Sequence, residues 1–213
     1  VERPALAPLI PTMNGFSLLI DAGANVDCKP EYLYQFAIMG SIYVEKVLNI
    51  NSPSVGLVNI GTEEGKGNKL VIDTYKMLKN SELNFYGNVE CRDIPKGIVN
   101  IIVCDGFVGN TILKLTEGIA KEIMRGLKEE ITSSFKSKLG GLLMKSSLKN
   151  FKNKFDYSEY GGAPLIGVKA PIIKAHGSSN SIAIKNAIRQ AKIYVENNVN
   201  ELIEENINKE VNI

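Results

Sequence analysis

Short apolar runs alternate along the chain with longer stretches in which apolar residues recur every three or four positions. Leu18-Leu19-Ile20-Asp21 predicts a buried strand ending in Ala22-Gly23-Ala24-Asn25. Pro30 then opens a helix, where its fixed φ costs nothing, and Leu33, Phe36, Ala37, Gly40, Val44 and Val47 form its core stripe. Val55 to Ile60 predicts a second strand, followed by a loop from Gly61 to Asn68 and a helix carrying Leu70, Tyr75 and Leu78. Leu83 to Tyr86 and Val99 to Val103 predict two more strands, the latter ending in Cys104-Asp105-Gly106. A long helix starts near Asn110 with Leu113, Thr116, Ala120, Ile123 and Leu127 on one stripe. Ile172 to Ala175 predicts a fifth strand, and Asn180 to Val195 a final helix before an acidic tail that extends it or frays.

Strand, loop, helix, strand is the signature of an α/β fold with a mainly parallel sheet. The strands are continuously apolar, which fits a sheet covered on both faces. In such sheets ligands bind at the carboxyl ends of strands, beside helix N-termini. The loops expected at that edge are Asp21 to Asn25, Gly61 to Asn68, Gly87 to Glu90, Asp105 to Asn110 and His176 to Ser179. Any one of them is explained by turn formation alone. Five at one edge of one sheet point to a site.

The 213 residues suffice for one large domain or two small ones. Apolar residues make up 44% and charged residues 23%, the composition of a soluble globular chain. A net charge of +2 gives no global field for nucleic acid. No apolar run approaches the ~20 residues needed to span a bilayer. Val1-Glu2-Arg3-Pro4 does not open a signal peptide, and with no initiator Met the chain reads as a fragment or processed product of something longer. Cys28, Cys91 and Cys104 form no CxxC pair, so a disulfide framework is not expected. One histidine, His176, excludes the usual zinc sites.

Gly61-Thr62-Glu63-Glu64-Gly65-Lys66-Gly67 fails as a phosphate-binding P-loop. The glycine spacing is one short, and Gly67 replaces the Ser or Thr that holds magnesium. Lys66 in this loop reads as an exposed surface lysine, or as a cation presented to an anion or a developing oxyanion. Asn110 reads as the N-cap of the long helix or as an amide donor to a substrate oxygen. His176 reads as a general base, a hydrogen-bonding anchor or a structural histidine.

Residues 135–155 hold six lysines and no acid, interleaved with Phe135, Leu139, Leu142, Leu143, Met144, Leu148, Phe151 and Phe155. Gly140-Gly141 is expected to break the segment into two pieces. A basic amphipathic segment of this kind lies in a membrane interface, covers a core or dimer partner, or docks an acidic protein.

Taken together, the loops resemble the motifs of the PlsX family, the phosphate acyltransferases of bacterial phospholipid synthesis. The resemblance rests on Leu19 to Glu31, Asn59-Ile60-Gly61-Thr62-Glu63 with Lys66-Gly67-Asn68, and Gly87-Asn88-Val89-Glu90. It continues through Asp105-Gly106-Phe107-Val108-Gly109-Asn110, Tyr160-Gly161-Gly162-Ala163-Pro164 and Lys174-Ala175-His176-Gly177-Ser178-Ser179. It implies a three-layer α/β/α sandwich of the phosphotransacetylase and isocitrate-dehydrogenase type. Residues 1–213 would then be the C-terminal two-thirds of a single domain, with 135–155 as a basic amphipathic insertion. The family's glycine-rich N-terminal region has no counterpart here.

The implied activity is transfer of a long-chain fatty acyl group from acyl carrier protein to inorganic phosphate, with no metal or organic cofactor. The implied setting is a cytoplasmic homodimer held peripherally at an anionic membrane surface. On this reading Lys66 and Asn110 are catalytic. Asn25, Gly61, Gly67, Asn88, Asp105, Gly106, Gly109, His176 and Ser178 bind phosphate or shape its loops. Leu139, Leu142, Leu143, Met144 and Leu148 contact the membrane or acyl chain. Two alternatives are compatible with the same residues: a relative acting on short acyl-CoA, and a non-catalytic fragment that oligomerises and binds membrane.

Overall fold

The structure, a computed structural model, describes residues 1–154, 161–177 and 179–211. Ser178, Phe155 and Tyr160 therefore lie outside the described residues. Strands β1 (Ala5–Leu6), β2 (Leu9–Thr12) and β3 (Gly15–Ile20) open the chain, followed by helix α1 (Pro30–Leu48). Then come β4 (Val55–Asn59), α2 (Lys69–Lys79), β5 (Phe85–Glu90), a 3₁₀ turn (Cys91–Lys96) and β6 (Ile101–Val103). The rest is α3 (Gly106–Thr132), α4 (Phe135–Leu143), α5 (Lys145–Lys154), β7 (Ala163–Ile166), β8 (Ile172–Lys174), α6 (Ser181–Glu196) and α7 (Val199–Val211).

The main sheet runs β2-β3-β6-β4-β5 and is parallel except for the hairpin partner β2. Strand period sends alternate residues to opposite faces. Leu18, Ile20, Ile101 and Val103 join a core with α1, α2, α6 and α7. Leu19, Ile102 and Cys104 join a second core with the 3₁₀ turn and Ile112 of α3. The three-layer α/β/α expectation holds. On α1, Pro30 sits in the first turn, and Gly40 lets the helix approach the sheet, since a Cβ there would lie 3.1 Å from Ile101 Cγ2.

The fifth strand expected in this sheet is elsewhere. β8 pairs antiparallel with β7, and β7 with β1, in a separate three-stranded sheet. His176 therefore does not stand at the edge of the main sheet. Gly87 to Glu90 is also not a loop: Asn88 lies inside β5, buried and paired in register with Leu57.

The long helix begins at Gly106, one turn before the expected start, with Asp105 as its N-cap. Its core stripe stops after Ile112. Leu115, Ile119, Ile123 and Leu127 are exposed, because beyond its first turns α3 leaves the sheet behind. The basic segment folds as the pair α4 and α5, and α4 runs through both glycines to Leu143, with Met144 as its C-cap. Gly141 faces α3, where a Cβ would collide with Ile131 Cγ2. That close approach turns Leu142 and Leu143 outward, 66% and 81% exposed.

Candidate active site

Four parallel strands, β3, β6, β4 and β5, bring their carboxyl ends together in that order. The loop after β4 carries Lys66, and the helix after β6 carries Asn110. β4 and β6 are direct neighbours, so these two segments rise from adjacent positions on one edge.

The Lys66 loop is held from beneath by two buried asparagines. Asn59, the last residue of β4, donates from Nδ2 to the Lys66 carbonyl oxygen at 2.9 Å, while its Oδ1 accepts from Ile60 N–H at 2.8 Å. Asn88 of β5 donates from Nδ2 to the Glu63 carbonyl oxygen at 2.8 Å. Lys66 N–H closes a turn onto the same Glu63 oxygen. Gly67 has φ +95, and a Cβ on it would sit 2.5 Å from Asn59 Oδ1, so only glycine fits. A Cβ at Gly61 would crowd Glu63 Oε2 at 2.7 Å.

The Lys66 side chain is exposed and makes no ion pair among the described residues. The nearby Glu64 is held on α2 by Lys79 at 2.6 Å and by the Tyr75 hydroxyl at 3.3 Å. The Lys79 bond is the main reason its carboxyl lies below the usual range. Asn68 caps α2 through its Oδ1 and Val71 N–H. No acid occupies the first turn of α2, so the positive end of its dipole adds to Lys66 and Lys69.

Asn110 is exposed in the second turn of α3. Asp105 Oδ1 caps the helix by accepting from Val108 N–H at 2.9 Å, which leaves the Asn110 amide uncommitted. The α3 N-terminus is largely satisfied within the protein. Gly106 N–H donates to the Asn25 carbonyl oxygen at 2.7 Å, and Gly109 N–H to that of Asp105. Phe107 N–H is the first-turn donor left without an acceptor among the described residues.

Asn25 is a loop former by geometry. Its Nδ2 is spent on the Pro4 carbonyl oxygen at 2.8 Å and on Asp21 Oδ2 at 2.9 Å. Gly106 and Gly109 are also fixed by shape. A Cβ on Gly106 would lie 2.6 Å from Asn25 O, and one on Gly109 1.9 Å from Asp21 O. His176 is exposed between β8 and α6, whose N-cap is Asn180. The main-sheet loops thus gather Lys66, Asn110, Asp105 and the two glycines, while His176 belongs to the other sheet.

Sequence reasoning passed over Asp21 and Asn59 as site builders. The available signal was a polar residue closing each apolar run immediately before a glycine loop.

No thiol here is a ready nucleophile. Burial, then the Asp105 carboxylate, pushes the Cys28 thiol up to about 11, and burial also raises the Cys104 thiol well above its ordinary range. Among the described residues no three His, Cys, Asp or Glu side chains gather as a cation cage.

The parallel α/β/α fold beneath these loops is shared with solved phosphotransacetylases. A phosphotransacetylase from Streptococcus pyogenes superposes with a TM-score of 0.56 at 19% identity, over 92% of this chain and 55% of that one. A branched-chain phosphotransacylase from Enterococcus faecalis gives 0.54 at 14% identity, over 90% and 64%. At such identities the likeness is one of fold. The family described as "Fatty acid synthesis protein" matches residues 1–202, and the chain belongs to it. Curated relatives carry the name phosphate acyltransferase. That of Thermoanaerobacterium thermosaccharolyticum is 58% identical over 93% of this chain and 60% of its own length. That of Clostridium tetani is 57% identical over 99% and 63%. The chain thus spans under two-thirds of the length of the relatives it matches.

Proposed function

We infer that the protein containing this chain transfers a fatty acyl group from the thioester of acyl carrier protein to inorganic phosphate. The observation that carries this reading is the pair Lys66 and Asn110. Both are exposed and uncommitted, on loops from adjacent parallel strands, within a family whose curated members are called phosphate acyltransferases.

A phosphate oxygen attacks the thioester carbonyl carbon, the C–S bond breaks, and acyl phosphate and the carrier thiol form. The phosphate proton ends on the leaving sulfur. Phosphate is itself the nucleophile, so the step needs no enzyme thiol, in keeping with the raised thiols of Cys28 and Cys104. Lys66 neutralises phosphate or the tetrahedral oxyanion, and Asn110 donates to the same oxygens. Holding phosphate beside the thioester supplies much of the barrier reduction. Asp105, Gly106, Gly109, Gly61, Gly67, Asn88 and Asn25 shape the loops around it.

Two surfaces support the proposed setting. The exposed stripe Leu115, Ile119 and Ile123 on α3 suits a second copy of the chain. The outward face of α4 and α5, with Phe135, Leu139, Leu142, Leu143, Met144 and the half-buried Leu148 among lysines, suits an anionic membrane. No described helix is long and apolar enough to cross one. A long acyl chain fits this surface better than the short acyl-CoA chemistry of a soluble enzyme.

The test is phosphate-dependent loss of the thioester from long-chain acyl carrier protein, run on this chain and on the whole protein. Lys66→Ala should lower turnover by roughly 10²-fold or more, the usual consequence of removing an oxyanion-stabilising group. Near-normal turnover in that variant removes Lys66 from the mechanism. Absence of transfer by the folded whole protein rejects the reading.

A further inference from the structure

Asp21 directly follows β3 with its carboxylate wholly buried, and among the described residues no lysine or arginine pairs with it. Five N–H donors replace a counter-ion. Leu6 N–H (3.0 Å), Gly23 N–H (3.1 Å) and Ala24 N–H (3.0 Å) donate to Oδ1. Asn25 N–H (2.6 Å) and Asn25 Nδ2 (2.9 Å) donate to Oδ2. A buried charge without a partner is costly, and it persists only with a full set of donors. An apolar residue here would leave these donors without an acceptor, so the carboxylate is what holds this particular loop shape.

The donors come from two places that the carboxylate ties together. Leu6 belongs to β1 of the small sheet, and Ala22 N–H returns a bond to the Leu6 carbonyl oxygen at 2.8 Å. Gly23, Ala24 and Asn25 form the loop on which α3 is seated. Gly106 N–H binds the Asn25 carbonyl oxygen, and Gly109 packs with no room for a Cβ against the Asp21 carbonyl. A Cβ on Gly23 would lie 3.5 Å from Asn110 Cβ, so the Asn110 side chain stands directly against this loop.

We propose that Asp21 is a positioning residue for acyl transfer: its carboxylate fixes the Asp21–Asn25 loop that seats the first turns of α3 and so places Asn110. The inference rests on the reading of Asn110 as a substrate-binding amide. Asp21 itself touches neither substrate nor reacting atoms.

The test uses the whole protein, wild type and with D21N, N110A or both, at saturating acyl carrier thioester. Asp21→Asn keeps the size of the side chain but turns an amide toward donors. It should lower kcat roughly ten- to hundredfold through misplacement of Asn110, with the acyl-donor KM changed less than about twofold. Added to N110A, it should cost no more than about twofold further, because both changes act through one amide. A full multiplicative loss in the double variant, or an unchanged kcat in D21N, overturns the proposal.

Amide hydrogen exchange is measured on the same proteins. Protection of residues 106 and 108–110 should fall roughly tenfold in D21N while the β6 amides keep theirs. Unchanged protection at these amides overturns the proposal whether or not transfer is seen. If wild type shows no transfer, the functional reading fails on its own and the exchange result alone decides whether Asp21 seats α3. If D21N does not fold, Asn25→Ala, which removes one of the five donors, carries the same cycle with a smaller loss.

Discussion

Asn59 holds Lys66 by its backbone and leaves its ammonium free: Asn59 Nδ2 donates to the Lys66 carbonyl oxygen at 2.9 Å. The bond starts from the rigid end of β4, so it passes the geometry of the sheet to the loop. A side-chain to backbone bond of this kind contributes about 1 kcal/mol net. Replacing Asn59 by Ala should therefore cost little stability but let the Lys66 loop wander. In the whole protein, kcat/KM for phosphate should fall roughly tenfold, with the melting temperature lowered by only a few degrees. Steady-state kinetics beside a thermal melt check this. Retained kcat/KM would mean that Asn59 serves strand and loop only as packing.

Two glycines on α3 should respond to alanine in opposite ways. A Cβ on Gly109 would lie 1.9 Å from the Asp21 carbonyl oxygen and 3.0 Å from Cys104 Sγ, and backbone cannot swing aside. Gly109→Ala should destabilise by about 3 kcal/mol or more, as overpacking against rigid neighbours does. Gly118 on the same helix meets nothing within 4 Å. Gly118→Ala should stabilise by up to about 1 kcal/mol through helix propensity alone. Urea unfolding of both variants gives the comparison, and equal changes would contradict the seating of α3 on the Asp21 loop.

The parallel core was legible because its strands are long apolar runs. Leu18 to Ile20, Val55 to Val58 and Ile101 to Val103 are buried whichever face they meet. The small sheet was not legible. β1 is two residues long, β7 contains Pro164, and Ala5 pairs with Ile166 far along the chain, so no local period announces them. That is why the His176 loop was assigned to the wrong sheet. The α3 stripe was legible as amphipathic but not as exposed, since periodicity names an apolar face without saying what covers it. In the site, Lys66 and Asn110 stood out by residue type. Asp21 and Asn59 did not, because their roles lie in donors and acceptors that converge only in three dimensions.

Cys28 should be a sluggish thiol near neutral pH. Burial is the first cause of its rise to about 11, and the Asp105 carboxylate is the second. Raised above the ordinary thiol range, it is almost wholly protonated at pH 7.5, with less than about one part in a thousand as thiolate. Its alkylation by iodoacetamide should then be slower than that of a free cysteine and climb about tenfold per pH unit through the range below 11. Peptide mass spectrometry across pH 7 to 10 follows this directly. A rate that levels off below pH 9 would show that the thiol is activated, and would reopen a part for it beside Asp105.

The outward face of α4 offers the last prediction. Gly141 packs against Ile131, which fixes Leu142 and Leu143 away from α3 and among Lys136, Lys138 and Lys145. Exchanging both leucines for Glu removes apolar area and sets two negative charges among the lysines. It disturbs no buried contact, because both side chains are exposed in the free chain. Inserting a carboxylate into an anionic interface is opposed twice, by lost burial at about 25 cal/mol per Å² and by repulsion from the lipid charge. Sedimentation with vesicles of anionic lipid should therefore recover most of the wild-type protein and little of the double variant, with equal melting temperatures. Raising the salt should weaken wild-type binding without abolishing it, since the apolar share of the attraction is not screened. Equal recovery of both proteins would remove this face from membrane docking and leave it to a second copy of the chain or to an acidic partner protein.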